Sequence, residues 1–461
     1  MSSGCRLRVA ICGAGIAGLT CALALSRHPD IEIDVFESAG KLAEVGAGIG
    51  LFPRPWQIIR ELGLEQDLLK TTESRLIEGP VPSFRYRKSD QREGLEFYRL
   101  ITQGALIFLH RADYQQTLLR HLPASCRTYC SKRLRTYIQR SGAIELFFED
   151  GTSHVCDVLI GADGLKSVVR KAMLNEKADR AKAQGRWKEV SEMLSSVDPV
   201  WSGTNAYRTL IPAERLRARA PTHAVLTSPM QYLGKNGYVI AYPISRGKMI
   251  NFVAFDMHHE LENTKFDGPW VTISDKSSFA SRFRNWEPDV QALLDCVENP
   301  LLWAIHTIPP MRSFISGRAT VMGDAAHAMT PHEGSGAGQA IEVVVHPLLR
   351  AHHTLTINQD AYLLATVLGH HNTNRTNVYK ALAVYDEIRR PAAYHVMEHS
   401  RMNGHYFTLH VDGVDFDSGK PREQWDNLQK LGRMFEKNWE WAWTTSVDGM
   451  VKEATYRMES F

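Results

Sequence analysis

The sequence of 461 residues lacks several features that mark specialised classes of protein. Its seven cysteines form no CxxC pair and no cysteine and histidine spacing suited to zinc, so no metal is expected. An odd cysteine count also argues against a disulfide framework and favours a reducing, cytoplasmic location. No run of about 18 apolar residues is present, so the sequence predicts no membrane span.

Charge of one sign is also missing. Lysine and arginine number 54 and aspartate and glutamate 51, which gives a net charge of +3 with the two signs interspersed. No strongly basic field therefore points to nucleic acid or to an anionic membrane. The apolar fraction of 44% and the charged fraction of 23% are those of an ordinary globular protein. A small molecule is the expected partner.

The N-terminal segment carries a dinucleotide-binding pattern. It reads as strand, glycine turn, helix, strand and acid: Leu7–Ile11, Gly13–Gly18, Leu19–Ser26, Ile31–Phe36 and Glu37. In this setting the first glycine allows a tight turn, the second a close approach to a pyrophosphate, and the third close packing of helix on strand. The acid at the end of the second strand would accept hydrogen bonds from ribose hydroxyls. The alternative is a glycine-rich turn without a ligand.

A different pattern follows further along the chain. Segments 81–110, 204–212 and 222–256 show polar alternation and turn residues typical of an antiparallel sheet. The charged stretch Lys177–Glu192 predicts a helical surface insertion. From Ala361 onward the sequence is mostly helical, and we interpret the tryptophans near its end as packing of C-terminal helices on the body of the protein.

Further motifs occur in a fixed order with this fingerprint. They are Glu44–Gly48, His110–Asp113, Gly161–Gly164, and Gly323–His327 followed by Pro331 and Gly334–Gln339. In this combination the chain resembles the single-component FAD-dependent aromatic monooxygenases, the salicylate hydroxylase-like and 4-hydroxybenzoate hydroxylase-like flavoproteins of fungal type. One departure is the segment Leu51–Trp56, which replaces the Pro-Asn segment common in relatives.

The resemblance implies an α/β fold, α+β overall. A Rossmann-like FAD-binding domain would be joined by a substrate domain with a mainly antiparallel β-sheet and by C-terminal helices. The expected division gives residues 1–76, 105–180 and 298–375 to the FAD-binding domain, 77–104 and 181–297 to the substrate domain, and 376–461 to the helical region.

The resemblance also implies which residues hold FAD. Asp324 would bind ribityl or ribose hydroxyls, and the backbone N–H groups of Gly336 and Ala337 would face the flavin edge where negative charge collects. The full implied set is Gly13, Gly15, Gly18, Glu37, Gly48, Arg111, Asp324, Gly336 and Ala337. Asp324 as a helix cap and Arg111 as a surface ion pair are the alternatives. Asp163 would bind a cofactor or simply fix its own turn.

Two residues are the catalytic candidates. Arg208 and Tyr242 match positions that orient a phenolate in relatives, and both lie on predicted strands of the antiparallel layer, away from the glycine-rich segments. Tyr238, Ile240 and Tyr242 share one face of a strand by the period of two. The alternative is that Arg208 is structural and Tyr242 a core aromatic. For His327 and His332, a hydrogen-bonded place in a loop is favoured over acid and base catalysis.

The implied activity is hydroxylation of an electron-rich phenolic or hydroxybenzoate ring with NAD(P)H and O2, through a flavin hydroperoxide. Carbon dioxide is lost when the attacked carbon bears a carboxylate. One alternative is a monooxygenase that epoxidises or dearomatises an indole or a polyketide phenol. Another is a non-catalytic flavin-binding protein. Either a monomer or a homodimer is expected.

Overall fold

The computed structural model describes residues 4–42, 48–336, 360–445 and 448–461. Its strands are β1 Leu7–Cys12, β2 Ile31–Phe36, β3 Gly48–Leu51, β4 Pro80–Lys88, β5 Leu95–Gln103, β6 Ile107–His110, β7 Cys126–Tyr129, β8 Leu134–Gln139, β9 Ile144–Phe148, β10 Ser153–Cys156, β11 Val158–Gly161, β12 Val200–Pro212, β13 Met230–Gly234, β14 Gly237–Ile244, β15 Met249–Met257, β16 Val271–Ile273, β17 Leu301–Thr307, β18 Ile315–Ser316 and β19 Ala319–Val321.

The helices are α1 Ile16–Leu25, α2 Pro53–Glu61, α3 Glu65–Leu69, α4 Arg111–His121, α5 Val168–Ala183, α6 Trp187–Ser195, α7 Ala213–Arg219, α8 Ser277–Ala280, α9 Pro288–Asp295, α10 Asp324–His327, α11 Asp360–Gly369, α12 Val378–Phe407, α13 Pro421–Trp439, α14 Trp441–Thr444 and α15 Asp448–Glu459. A short 3-10 turn covers Pro331–Glu333. Within the described part of the chain, no helix combines the length and the apolar character needed to cross a membrane.

The first sheet has the strand order β18-β19-β11-β1-β2-β7. Its strands pair in parallel apart from the edge pair β18 and β19. β1 is almost entirely buried, as expected for a strand covered on both faces. Because the strands on either side of β1 continue in opposite directions along the chain, a crevice forms at their carboxyl ends. The predicted α/β fold with a Rossmann-like sheet is confirmed.

The second sheet has eight strands in the order β16-β17-β12-β15-β14-β13-β4-β5. All of its pairs are antiparallel except that between β13 and β4. The expected strand segment 222–256 starts too early, because a 3-10 turn at Ala224–Leu226 precedes β13. A mainly antiparallel second layer is otherwise as predicted.

Two observations bear on the predicted domain boundaries, which stay a prediction. β17 pairs with β12 of the second sheet, although the expected boundary at residue 298 assigns it to the FAD-binding domain. Helix α5 buries Met173 and Leu174 in the core around the first sheet. The segment Lys177–Glu192, expected to be a charged surface insertion, is largely helical. Its first part belongs to α5, and this helix packs on the first sheet.

A buried ion pair joins the C-terminal helices to the first sheet. The carboxylate of Asp360 accepts hydrogen bonds from Arg389 Nε at 2.5 Å and from the backbone N–H of Gly323 at 2.7 Å. His327 Nε2 lies 2.6 Å from the same carboxylate. Asp360 and Arg389 are fully buried, and Gly323 has a φ of +58°, which favours glycine. Despite its burial, the Arg389 guanidinium beside it holds the pKa of Asp360 well below its usual range.

Replacing Asp360 with asparagine should remove the carboxylate that pairs with the buried Arg389 guanidinium. We expect the free energy of unfolding to fall by about 3–5 kcal/mol, the usual cost of breaking a buried ion pair. Urea unfolding measures it. The control is Glu453→Gln, since Glu453 pairs with Arg457 at the surface and its loss should cost under about 1 kcal/mol. Equal effects of the two variants would contradict this prediction.

Candidate active site

A cavity of about 710 Å³ opens at the carboxyl edge of the first sheet. One wall comes from the glycine turn after β1 and from Glu37 after β2, and another from the turn after β11. The opposite wall belongs to the second sheet and includes Arg208, Asn251 and Trp303. The cavity therefore lies at the crevice where α/β proteins bind nucleotides, and it reaches the antiparallel layer.

The three fingerprint glycines have different surroundings. A Cβ atom at Gly13 would overlap the backbone carbonyl of Ala162, and one at Gly18 would overlap the carbonyl of Gly13. A Cβ atom at Gly15 would meet no protein atom within 4 Å among the described residues. Gly15 caps the start of α1 and lines the cavity. Space at the middle glycine beside a helix N-terminus fits a bound pyrophosphate.

Glu37 lines the same cavity at the end of β2. Its Oε2 accepts the backbone N–H of Ala14 and its Oε1 that of Ala39, both at 2.8 Å. Each carboxylate oxygen can accept more than one hydrogen bond, so capacity remains for ribose hydroxyls. The carboxylate also fixes the turn, a role that the sequence analysis did not assign to it.

The other expected cofactor residues differ in where they lie. Arg111 begins α4 and lines the cavity. Asp324 is exposed at the start of α10, and Gly336 is partly exposed. Gly48 lies in β3, where it faces the hydroxyl of Tyr242. Ala337 and most of the Glu44–Gly48 motif lie outside the described residues.

Asp163 fixes its own turn. Its carboxylate accepts the hydroxyl of Ser167 at 2.5 Å and the backbone N–H groups of Val168 and Val169 at 2.7 and 3.2 Å. Burial raises its pKa, and these hydrogen bonds partly offset that effect. The geometry shows that Asp163 fixes its turn, and because Asp163 also lines the large cavity, its cofactor-binding alternative stays a prediction.

Arg208 lines the large cavity, in the same space as the fingerprint glycines. Arg208 lies on β12 of the antiparallel sheet, as expected, and this sheet forms the wall of the cavity opposite the glycine turn. The catalytic role of Arg208 stays a prediction. Its guanidinium carbon is 5.8 Å from the centre of the Trp303 ring. Burial lowers the pKa of Arg208, whereas the nearby Tyr242 raises it.

A second cavity of about 90 Å³ lies beside the first, under the turn Pro331–Gly334. Tyr238, Ile240 and Tyr242 all line it, which confirms that they share one face of a strand. The ring of Tyr242 stacks on Phe108 with centroids 4.5 Å apart. Burial raises the pKa of Tyr242 to about 12, so its hydroxyl is a neutral donor at neutral pH. The remaining walls are largely aromatic, with Phe52, Phe84, Phe255, Phe407 and Trp439.

The two histidines differ in their surroundings. His327 is hydrogen-bonded to the carboxylate of Asp360. This contact agrees with the favoured interpretation of His327 as a hydrogen-bonded residue rather than an acid or base catalyst. His332 lines the small cavity, where its Nδ1 lies 2.7 Å from the Tyr238 hydroxyl. Burial lowers the pKa of His332 to about 3, so its ring is neutral.

Glu333 is a site residue that the sequence analysis missed. It is 1% exposed and lines the small cavity. Its Oε1 accepts the indole N–H of Trp441 and its backbone carbonyl that of Trp439, both at 3.1 Å. Burial raises the pKa of Glu333 well above its usual range. A lone acid inside the Pro331–Gly338 motif is the signal that could have drawn attention to it.

Comparison with known proteins gives one consistent result. A family model described as an FAD binding domain matches residues 6–248. The chain is 35% identical to "FAD-dependent monooxygenase str9" of Strobilurus tenacellus, over 97% of both chains. It is 32% identical to a salicylate hydroxylase of Pseudomonas putida, over 98% of this chain and 95% of that one. A solved salicylate hydroxylase substrate complex superposes with a TM-score of 0.79 at 28% identity, covering 98% of each chain.

The open space at Gly15 gives a direct test of FAD binding. Gly15→Val should fold, because a Cβ atom at this position would meet no described protein atom within 4 Å, but the branched side chain should overlap the bound pyrophosphate. Overpacking of about 1–3 kcal/mol would weaken FAD binding roughly 5- to 150-fold. Flavin content and a titration of the apoprotein with FAD measure it. An unchanged FAD affinity in a folded variant would contradict the assignment.

Burial of a protonated Glu333 predicts a stability difference that depends on pH. The folded protein keeps this proton above pH 4.3, where an unfolded chain releases it, so wild-type stability falls with pH relative to Glu333→Gln. The free energy of unfolding of the wild type, relative to that of Glu333→Gln, should fall by about 1.4 kcal/mol per pH unit until the pH reaches the raised pKa of Glu333. Urea unfolding of both proteins from about pH 4 upward measures it. A constant difference would show that Glu333 is ionised in the folded state.

Proposed function

This chain belongs to the salicylate hydroxylase-like family of FAD-dependent aromatic monooxygenases, and we propose that Arg208 and Tyr242 hold its substrate as an acidic phenol. The enzyme is an FAD-dependent hydroxylase of aromatic compounds, and NAD(P)H is the cosubstrate typical of its family. Hydroxybenzoates are the substrate class that we infer, because they combine a phenolic hydroxyl with a second acidic group.

The register of the second sheet is the observation that supports this proposal. Arg208 pairs with Val253, which pairs with Ile240, in one row across β12, β15 and β14. The row beside it on the same face ends at Tyr242. A cation that lines the large cavity and a neutral hydroxyl donor that lines the small one therefore lie on the same face of the sheet, two strands apart and two residues apart along the strand direction.

FAD would occupy the large cavity. We propose that Gly13, Gly15, Gly18 and Glu37 bind its adenosine and pyrophosphate, with Arg111 beside them, and that Asp324, Gly336 and Ala337 bind its ribityl and ring portions. Gly48 would complete the pocket through its contact with Tyr242. When bound, FAD supplies the redox chemistry that activates dioxygen for attack on the ring.

The role of Arg208 and Tyr242 follows from what that attack needs. A phenolate ring is far richer in electrons than a phenol, but a free phenol has a pKa of about 10. Lowering that pKa by two to three units requires about 3–4 kcal/mol. A charge-assisted hydrogen bond from Arg208 supplies about 1.5–3 kcal/mol, and the Tyr242 hydroxyl adds a further donor. Both groups also orient the ring.

The experiment that tests the substrate class is a panel of phenols with and without a carboxylate. NAD(P)H oxidation is measured with each compound, and mass spectrometry identifies the hydroxylated product. Coupled turnover of hydroxybenzoates, with slower turnover of the matching neutral phenols, supports the proposal. Turnover that is indifferent to the acidic group would overturn it.

Replacing Arg208 with alanine should slow hydroxylation by roughly 10- to 150-fold, because a charge-assisted hydrogen bond of about 1.5–3 kcal/mol is lost. The optimum pH should also rise toward the pKa of the free phenol, since less stabilisation of the phenolate remains. Tyr242→Phe should show a smaller change in the same direction. The pH profile of turnover measures both effects.

A matched control separates substrate binding from FAD binding. Arg111 lines the same large cavity, so Arg111→Ala should lower FAD affinity without moving the pH profile. If Arg208→Ala instead lowers FAD content and leaves the pH profile unshifted, Arg208 binds the cofactor and the substrate site has been misplaced.

A further inference from the structure

The small cavity contains unsatisfied polar groups. Three buried side-chain atoms of its lining residues have no hydrogen-bond partner among the described residues: Gln231 Oε1, His332 Nε2 and Glu333 Oε2. A buried polar atom without a partner costs stability, so such atoms in one cavity point to a ligand that satisfies them. The other walls are mainly aromatic rings, which suit the edge of an aromatic ligand.

The volume of this cavity limits what it can take. A cavity of roughly 150 Å³ is known to bind benzene. At about 90 Å³, the small cavity admits one edge of a ring with a substituent rather than the whole ring. The remainder of the substrate must then lie toward the large cavity, on the side of Arg208.

Charge is distributed unequally between the two cavities. Arg208 and Arg111 line the large one, whereas no lysine or arginine of the described residues lines the small one. The acidic groups of the substrate therefore belong on the Arg208 side. An anionic substituent in the small cavity would be desolvated without a counter-charge, which is unfavourable.

The hydrogen bonds of Glu333 identify which of its oxygens carries the proton. Oε1 accepts the Trp441 N–H, so the hydroxyl of the protonated carboxyl is at Oε2. The nearest titratable group on α12 is His399, whose Nδ1 lies 4.0 Å from Oε1 but donates to the backbone carbonyl of Asn438 at 2.8 Å. The ring of His395 lies beside that of His399, and the guanidinium of Arg54 in α2 lies over the Trp441 ring. Within the cavity, His332, Tyr238 and Tyr242 are uncharged.

We propose that Glu333 is a specificity-determining residue, which donates a hydrogen bond from Oε2 to an uncharged oxygen on the end of the aromatic substrate remote from Arg208. The enzyme would then prefer hydroxybenzoates with a hydroxyl or carbonyl group at that end over those with a methyl group or a second carboxylate. This inference rests on the proposed function, because it takes the acidic end of the ring to lie at Arg208.

The test compares binding of paired probes. Salicylates that carry either a methyl or a hydroxyl group at each remaining ring position in turn are titrated into the FAD-loaded enzyme, and flavin absorbance gives each Kd. For the position that reaches Glu333, the hydroxyl compound should bind roughly 2- to 13-fold more tightly than the methyl compound. Glu333→Gln should keep this ratio, because the amide offers both an acceptor and a donor. Glu333→Met should bring the ratio to about one.

Trp441→Phe is the matched control for a purely structural role. It removes the indole N–H that holds Glu333 Oε1 but leaves the Oε2 donor and the ring packed near Arg54. The hydroxyl preference should survive in this variant. A pH series gives a second check. The hydroxyl preference of the wild type should fall as the pH rises through the raised pKa of Glu333, whereas Glu333→Gln should keep this preference at every pH.

Two results would overturn the inference. One is a hydroxyl preference that Glu333→Met leaves intact. The other is a preference that Trp441→Phe abolishes as fully as Glu333→Met does, which would make the effect one of turn structure. In both cases the salicylates still bind and respond to Arg208→Ala, so the proposed function survives. If no salicylate binds the wild-type enzyme, the proposed function and this inference both fail.

Discussion

The carboxylate of Asp360 is the point on which the arrangement of the FAD-binding side depends. It is fully buried, and it joins the guanidinium of Arg389 on α12, the imidazole of His327 on α10 and the backbone N–H of Gly323. A buried charge of this kind is tolerated only when its partners are in place. The turn that presents Asp324 can therefore adopt its conformation only when the C-terminal helices have docked.

Helix α12 extends this constraint to the substrate side. Arg389 lies near its middle, and Ser400 accepts and donates hydrogen bonds at the turn that contains Glu333. Gly404 lies against His332, where a Cβ atom would overlap the imidazole ring. At 1.5 Å per residue, Arg389 and Gly404 are about 22 Å apart along this one helix. The buried ion pair and the wall of the small cavity are thus positioned by the same helix.

Local patterns in the sequence predicted the parts of this structure that depend on near neighbours. The strand and glycine turn around Gly13 and the shared face of Tyr238 and Tyr242 follow from spacing and period alone. The role of Asp360 was not predicted, because its partners Arg389 and His327 are 29 and 33 residues away along the chain and no local motif links them. The bond from Trp441 to Glu333 spans 108 residues, so only the folded chain brings the two together. These long-range contacts depend on how layers pack, and single-sequence patterns do not encode that.

The unequal charge of the two cavities has a consequence for regiochemistry. A ring anchored by its acidic group at Arg208 and by its opposite edge among the aromatic side chains cannot rotate freely in its own plane. On the proposed function, one carbon would then face the oxidant in every turnover, and a single isomer of the product would result. Residues that shape the small cavity, such as Ile240, could change during evolution to admit a differently substituted ring while the carbon attacked stays the same. Related enzymes could in this way diversify their products without altering the anchoring cation.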